Sequence, residues 1–474
     1  MKTLLQLFMI IGLCTASYAQ SIELDKELGN QNAKMVAQEM GIYDDQAKTT
    51  YLTAVINRLV LNLEEPLFEY EIHIVPDMSP NAFALPGGHL YITTGLIPIL
   101  QTEDELACIM GHEIIHSNNR HSIQQIKKSI LPKLLEIPGN LIGAVNADLG
   151  DIINTPIETS NELLFANYGR KFESEADDEG VQLAAKAGYD PAGMISSLTR
   201  LSKTIEVATN KAEEKSYFND HPYTPDRTEA IEKRMRGMNY PRKAPISKSF
   251  LKEFDGILFG NSPNQGVIQE NKFLHPDLDF FIAFPKSWIL DNQRSSINAY
   301  EPNNKAAAFV ELDNAELSPE KASNLFLTNL KKEYKSKLTE SKEIVINGKK
   351  GSMITFIDQI ESETMYAYIL WLPMEDKLFK LTGVAPIKFK DELDKAALSL
   401  RPLNRQEKET IMIQQIRIIE AKEGENLKDL STRVGNKLKI ELTSTINSIS
   451  PNENLEKGRL VKVVLEAPYL SHTK

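Results

Sequence analysis

The chain has 474 residues, which is more than one hydrophobic core usually supports, so two or three domains are expected. Its 42% hydrophobic and 25% charged residues are typical of globular protein. The formal net charge of −11 argues against nucleic acid as a partner, because phosphate binding needs a basic face.

The first residues have the pattern of a cleaved export signal. Lys2 precedes an apolar run from Leu4 to Leu13, which is too short to span a membrane stably, and small residues follow up to Ala19. We therefore predict a signal peptide over 1–19 and a mature chain without a transmembrane span, exported to the periplasm or cell envelope or secreted. Only Cys108 remains after cleavage, which excludes an internal disulfide.

Residues 20–245 are predicted to form a mainly helical domain with a small β-hairpin sheet. Apolar residues at helical spacing between Leu52 and Val60 predict a helix with one buried face. The pattern of Thr102 followed by Glu105 is a capping box that predicts the start of a later helix. Three strands are predicted between the two helices, the last two joined as a hairpin: 70–75, 81–85 and 90–93.

The rest of the chain is predicted to complete a multidomain α+β protein. A linker is expected over 246–274, followed by an α+β accessory domain over 275–404 with no cluster of residues that suggests chemistry. The order strand, helix, helix, strand in 405–474 is similar to a LysM module, which in many cases binds N-acetylglucosamine polymers. That resemblance makes peptidoglycan a candidate partner. Strands of the accessory domain are predicted near 280–284, 344–346, 353–357, 366–372 and 378–382.

Three of the eight histidines lie in the stretch GHEIIHSNNRH, residues 111–121. Residues four apart on a helix are rotated by roughly 40°, so His112 and His116 share a face and can bind one metal ion. Glu113 lies about 100° from His112, close enough to address a metal-bound water. Chance would place only on the order of 0.01 such H-E-x-x-H patterns in a chain of this length.

A catalytic zinc needs a third protein ligand, and His121 is not expected to supply it. The metzincin spacing would require Gly and His at the positions that hold Asn119 and Ser122. His121 follows His116 by five residues, which is roughly 140° around a helix. It is therefore interpreted as a polar or core-edge contact.

A carboxylate from a later helix is the alternative, and the stretch FESEADDEG over 172–180 offers it. Glu173 and Asp177 lie four residues apart, where like charges cost about 0.2–0.5 kcal/mol. A nearby dication would turn that repulsion into attraction. The other acids are interpreted as a solvated face: Glu175, Asp178 and Glu179.

These motifs occur together with three others: GIYDD (41–45), NAFALPGGHLYITTGL (81–96) and HPYTPDR (221–227). In this set and order, the chain from about Glu23 to Met235 resembles the exported zinc metallopeptidases of peptidase family M48, which are related to BepA-type, Oma-type and CAAX prenyl proteases. The chain lacks the membrane spans of CAAX proteases and the helical repeats of the BepA type. Prenylated substrates and recognition through helical repeats are therefore not implied.

The resemblance implies a gluzincin domain with one zinc ion per chain, bound by His112, His116 and Glu173, and with Glu113 as general base. It implies that Asp177 accepts the ring N–H of a ligand histidine. His221 and Arg227 match a motif that lies over the metal in relatives. The resemblance implies that His221 either caps the zinc or stabilises the oxyanion, and that Arg227 either helps to cap the zinc or has a structural role.

The sequence therefore predicts a zinc endopeptidase that hydrolyses unfolded or misassembled exported polypeptides. The segment 122–162 is expected to be either a lid or a helical excursion. The alternative function is a zinc-stabilised chaperone or peptidoglycan-anchored protein with a capped metal site, although a structural zinc needs no base such as Glu113. One strand is predicted to pair with extended substrate: His89, Leu90, Tyr91, Ile92 and Thr93.

Overall fold

The computed structural model describes residues 22–126, 128, 168–209, 221, 225–333, 341–360 and 363–470. The predicted signal peptide and most of the predicted lid lie outside these residues. The chain divides into two compact units, the first comprising Met1–Asn261 with Gln414–Glu466 and the second Ser262–Ile413 with Ala467–Lys474. In the described ranges, no helix has the length and apolar character needed to cross a bilayer.

The first unit begins with two helices, α1 over 22–39 and α2 over Gln46–Val60. Asp45 caps α2 by accepting the backbone N–H of Lys48. As the apolar spacing predicts, one face of α2 is buried. Three strands follow: β1 (Glu71–Val75), β2 (Ala82–Ala84) and β3 (His89–Thr93).

The strands form a sheet in the order β1-β3-β2, so β3 is the central strand. The predicted hairpin is confirmed, since β2 and β3 pair antiparallel, while β1 pairs parallel with the other edge of β3. The prediction that β3 pairs with substrate is wrong, because neighbours bond both of its edges. All five residues of β3 are buried, as is typical of an interior strand: His89, Leu90, Tyr91, Ile92 and Thr93.

Helix α3 (Glu103–Asn118) carries the histidine motif and is buried along almost its whole length. The hydroxyl of Thr102 accepts the backbone N–H of Glu105, as the capping pattern predicts. The Glu105 carboxylate accepts the N–H of Gln101 instead of that of Thr102, so only half of the box forms. Further helices of the first unit are α4 (Arg170–Lys186), α5 (Ala192–Thr209), α6 (Pro225–Met235) and α7 (Phe250–Glu253).

The second unit is α+β, as predicted. The strands are β4 (Val267–Gln269), β5 (Lys272–His275), β6 (Phe280–Ala283), β7 (Ile289–Asn292), β8 (Ser296–Tyr300), β9 (Ala307–Asp313), β10 (Lys342–Ile346), β11 (Lys349–Ile360), β12 (Glu363–Met374) and β13 (Lys377–Pro386). The large sheet has the order β10-β11-β12-β13-β9-β8-β7, and a smaller sheet contains β4-β5-β6. The five predicted strands correspond to β6 and β10–β13, whereas β4, β5 and β7–β9 were not predicted. The helices are α8 (Pro319–Glu333), α9 (Lys390–Leu398) and α10 (Arg405–Thr410).

The two units divide within the predicted linker over 246–274, although much of that range is packed into the units themselves. Phe250, Phe254 and Ile257 are buried in the core of the first unit, and β4 and β5 belong to the second. The three aromatic and aliphatic residues therefore lie in the core of the first unit, before the division between Asn261 and Ser262.

The C-terminal segment has the predicted order β14 (Met412–Glu420), α11 (Leu427–Val434), α12 (Ile440–Asn447) and β15 (Leu460–Pro468), and its two strands pair. Its likeness to LysM stays a prediction. It is not an independent domain, because Ile416, Ile446 and Val464 are buried in the same core as α2, α3 and α5. The segment is therefore part of the unit that contains the histidine motif.

Candidate metal centre

Helix α3 places the two motif histidines on one face, as the four-residue spacing predicts. The Nε2 atoms of His112 and His116 lie 2.9 Å apart, and both side chains are completely buried. Glu113, one residue along the same helix, is also completely buried. Polar groups at this depth are stable only when they bind each other or an ion, which marks the face as a site.

Helix α4 reaches the histidines because two glycines lie where it crosses α3. A Cβ on Gly180 would lie 2.9 Å from both Cα and N of His112, and one on Gly111 would lie 3.0 Å from the carbonyl oxygen of Gly180. Only glycine permits such a close approach. Glu173 and Asp177 lie seven and three residues before Gly180 on the same helix face, so the crossing carries both carboxylates to α3.

The donor atoms of four buried residues come together at this crossing. One ligand atom from each of His112, His116, Glu173 and His221 lies within 4.8 Å of the others. Glu173 Oε1 is 3.3 Å from His116 Nε2 and 2.9 Å from His221 Nδ1. Imidazole nitrogen and carboxylate oxygen are ligands that zinc binds in proteins, so the donor set fits this metal.

Asp177 contacts the nitrogen of His112 that faces away from this group. Its Oδ1 lies 3.1 Å from His112 Nδ1, so it accepts the ring proton when Nε2 faces a metal. Arg227 binds Asp177 through Nε and Nη2, at 2.6 and 2.7 Å. Its Nη1 lies 3.2 Å from Glu173 Oε2 and donates to the carbonyl oxygen of His221. Arg227 thus joins both carboxylates to the backbone at residue 221.

His221 lies between the ligand group and Glu113. Its Nδ1 is 3.2 Å from His112 Nε2, and its Nε2 is 3.6 Å from Glu113 Oε1. The sequence-predicted residues Glu113, His221, Arg227 and Asp177 are therefore all brought to the predicted ligands, whereas the β3 residues are not part of the group.

The electrostatics favour neutral side chains at His112 and His116, ionised carboxylates and a protonated His221. Burial lowers the pKa of His112 and holds the pKa of His116 well below its usual value. For Glu173, burial opposes ionisation, but His221 and the other histidines outweigh it and hold the carboxyl pKa far below its ordinary range. Burial is likewise outweighed at His221, where the Glu173 and Glu113 carboxylates raise the pKa to about 9. Deprotonated ligands are the forms that bind metal.

His121 lies closer to the site than the helical spacing predicts. As expected, it is not in the ligand group, but its Nδ1 is 3.0 Å from His116 Nδ1. The angle of 140° assumed a continuous helix, whereas α3 ends at Asn118 and Arg120 has a φ of 58°, in the left-handed region. Tyr168, which no motif predicted, stacks on His116 with ring centroids 4.0 Å apart.

The comparisons with known proteins agree with this geometry. Residues 46–235 match the sequence model of Peptidase family M48. The mitochondrial metalloendopeptidase OMA1 of Schizosaccharomyces pombe is 27% identical over 215 residues, which cover 45% of this chain and 61% of that protein. Metalloprotease LoiP of Escherichia coli is 27% identical over 39% of this chain and 69% of its own length.

The beta-barrel assembly-enhancing protease of Yersinia pestis is 24% identical over 50% of this chain and 49% of its own length. The chain thus spans about half to two thirds of the length of these relatives. The family match contains α2 to α6, and hence every helix that contributes a ligand or its carboxylate partner. Residues 46–235 of this chain form a domain of peptidase family M48.

Proposed function

We propose that this protein is a zinc endopeptidase that binds one zinc ion per chain through His112, His116 and Glu173. The observation that carries the proposal is the convergence of these donors beside Glu113, a buried carboxylate on the same helix as two of them. Zinc, when bound, lowers the pKa of a coordinated water to about 7 and polarises the substrate carbonyl.

Glu113 acts as the general base and holds the proton taken from water until the leaving amine needs it. Its neighbour His221 caps the site at rest, a role supported by its 2.9 Å distance to Glu173 Oε1 and 3.2 Å distance to His112 Nε2. It would become a fourth ligand only on release of the proton that the Glu173 and Glu113 carboxylates stabilise. The capping side chain has to withdraw before a substrate carbonyl can approach. Arg227 is a structural partner, since its guanidinium binds carboxylates and the carbonyl of residue 221.

Substrates bind as extended, unfolded segments, but along β2 in place of β3. In the described part of the chain, β2 pairs with β3 alone. The N–H of Thr93 bonds to the carbonyl of Asn81 and that of Leu85 to the carbonyl of His89. Since bonding alternates along an antiparallel pair, the backbone groups of Ala82 and Ala84 face the outer edge. Both residues are buried at rest, so a peptide adds as a strand at this edge after the edge is uncovered.

The substrate class we propose is unfolded or misassembled exported protein. The residues 1–19 have the features of an export signal, and relatives include a protease named for enhancing β-barrel assembly. The C-terminal βααβ segment makes peptidoglycan a second proposed partner, which co-sedimentation of the full chain with purified peptidoglycan tests.

A capped binding protein is the second candidate function, and the position of His221 within the ligand group favours it. The substitution Glu113→Gln separates the two candidates. We expect Glu113→Gln to retain stoichiometric zinc, measured by atomic spectroscopy, and to lose cleavage of casein. Glu179→Gln, which changes an exposed carboxylate on α4, is the matched control and should cleave as the unaltered chain does. Equal cleavage by both variants would refute the proposed mechanism.

A further inference from the structure

We propose that His121 is a positioning residue for the metal centre, which accepts the ring proton of His116 and thereby fixes the nitrogen that this ligand presents. The proposal rests on the proposed zinc site. It assigns a function to the third histidine of the stretch, which is not one of the ligands.

The distances determine the direction of the hydrogen bond. His116 Nε2 faces the ligand group, 2.9 Å from His112 Nε2 and 3.3 Å from Glu173 Oε1. A histidine that binds metal through Nε2 carries its proton on Nδ1. That atom lies 3.0 Å from His121 Nδ1, so His116 donates and His121 accepts.

The same assignment fixes the proton of His121. With its lone pair on Nδ1, a neutral His121 carries its proton on Nε2. Nε2 points to the side of Glu175, whose Oε1 lies 3.7 Å away, and the Glu175 carboxylate also accepts from Asn119. A chain of polar groups therefore runs from the ligand His116 through His121 to Glu175 on α4.

The ring of His121 is held in place by the residues packed around it. Its side chain is completely buried, and its ring stacks on Phe172 with centroids 4.5 Å apart. The turn after α3 brings His121 next to His116. This turn contains Arg120, whose guanidinium binds the buried carboxylate of Asp25. A rigid acceptor at this place holds the His116 ring at its edge, while Tyr168 stacks on its face.

The two ligand histidines are therefore oriented by different partners. His112 has a carboxylate, Asp177, and His116 has a neutral imidazole. Asp177 belongs to α4, whereas His121 lies just beyond the C-terminal end of α3. Removal of such a partner typically weakens metal binding about 10–100-fold, which sets the size of the effect to be measured.

A pair of variants of nearly equal shape tests the acceptor. His121→Asn keeps an oxygen near the place of Nδ1, whereas His121→Leu has no acceptor. We expect His121→Leu to weaken zinc affinity about 10-fold or more in a chelator competition, and His121→Asn to restore most of it. The visible spectrum of the cobalt-substituted protein should shift for His121→Leu and stay close to that of the unaltered chain for His121→Asn. Equal affinities for the two variants would overturn the proposal.

A second measurement needs no substitution. Nitrogen chemical shifts of 15N-histidine-labelled protein with zinc bound should show His121 protonated at Nε2 alone. A proton on Nδ1 of His121 would overturn the proposal. Failure of the proposed function would be recognised separately, as absence of zinc binding by the unaltered chain or cleavage by Glu113→Gln.

Discussion

The crossing of α3 and α4 is the feature on which the site depends, and Gly180→Ala tests it. The added methyl would lie 2.9 Å from Cα and N of His112 and 3.2 Å from the carbonyl carbon of Gly111. All three atoms belong to the backbone, so no side chain can rotate away to relieve the clash. The two helices have to separate.

The separation can be estimated from ordinary contact distances. Carbon atoms pack at about 3.5 Å or more, so the helices must move apart by about 0.6 Å. Overpacking of this kind costs about 1–3 kcal/mol, and the better helix propensity of alanine returns about 0.5–1 kcal/mol. We therefore expect the free energy of unfolding of the first unit to fall by about 1 kcal/mol, and by no more than about 2.5 kcal/mol. Because zinc ligands tolerate displacements of only about 0.2 Å, we expect zinc affinity to fall about 10-fold or more.

Far-UV circular dichroism during denaturation follows the helices, most of which, among the described residues, lie in the first unit. Tryptophan fluorescence measures the second, since the chain has two tryptophans, Trp288 and Trp371, and both lie there. Gly237→Ala is the matched control, because its added methyl meets no atom within 4 Å. If Gly180→Ala binds zinc and unfolds as Gly237→Ala does, the close crossing does not position Glu173.

Two further predictions concern single histidines. His221→Ala should raise casein cleavage and lower zinc affinity, because it removes a side chain that caps the site and can also bind the metal. Reduced cleavage at full zinc occupancy would show instead that His221 stabilises the oxyanion. Burial lowers the pKa of His275 in the second unit from 6.5 to about 4. The folded unit therefore binds a proton less readily than the unfolded chain does. The free energy of unfolding is greatest above about pH 6.5 and falls by up to about 3 kcal/mol as the pH decreases from about 6.5 to below 4. His275→Asn should flatten this decline in tryptophan-monitored denaturation, and an unchanged slope would contradict the assignment.

The sequence predicted the site better than its surroundings, for a physical reason. His112 and His116 lie one helical turn apart, so local geometry alone places them together. Spacing alone did not single out Glu173 and Asp177, since Glu175 and Glu179 are also four residues apart, and the choice depended on the resemblance to family M48. The position of His121 could not be predicted, because it depends on the end of the helix near Arg120, where no glycine or proline marks a helix end in the sequence.

Pairing between distant segments accounts for the other differences. The hairpin of β2 and β3 is local and was predicted. In contrast, β1 pairs with the other edge of β3, so β3 is an interior strand and not the expected edge strand. Periodicity shows that a strand has apolar faces, but it does not show which strands lie at its edges. The proposed place of substrate binding moves from β3 to β2 for this reason.

The position of the C-terminal segment has a consequence for the catalytic helix. Lys462 on β15 is buried and donates to the carbonyl of Leu100, two residues before the cap of α3. Arg200 on α5 binds the Glu105 carboxylate in the first turn of α3 and also donates to Ser448. Since that turn begins the helix that carries His112 and His116, the C-terminal segment helps to fix the end of α3 opposite the metal centre.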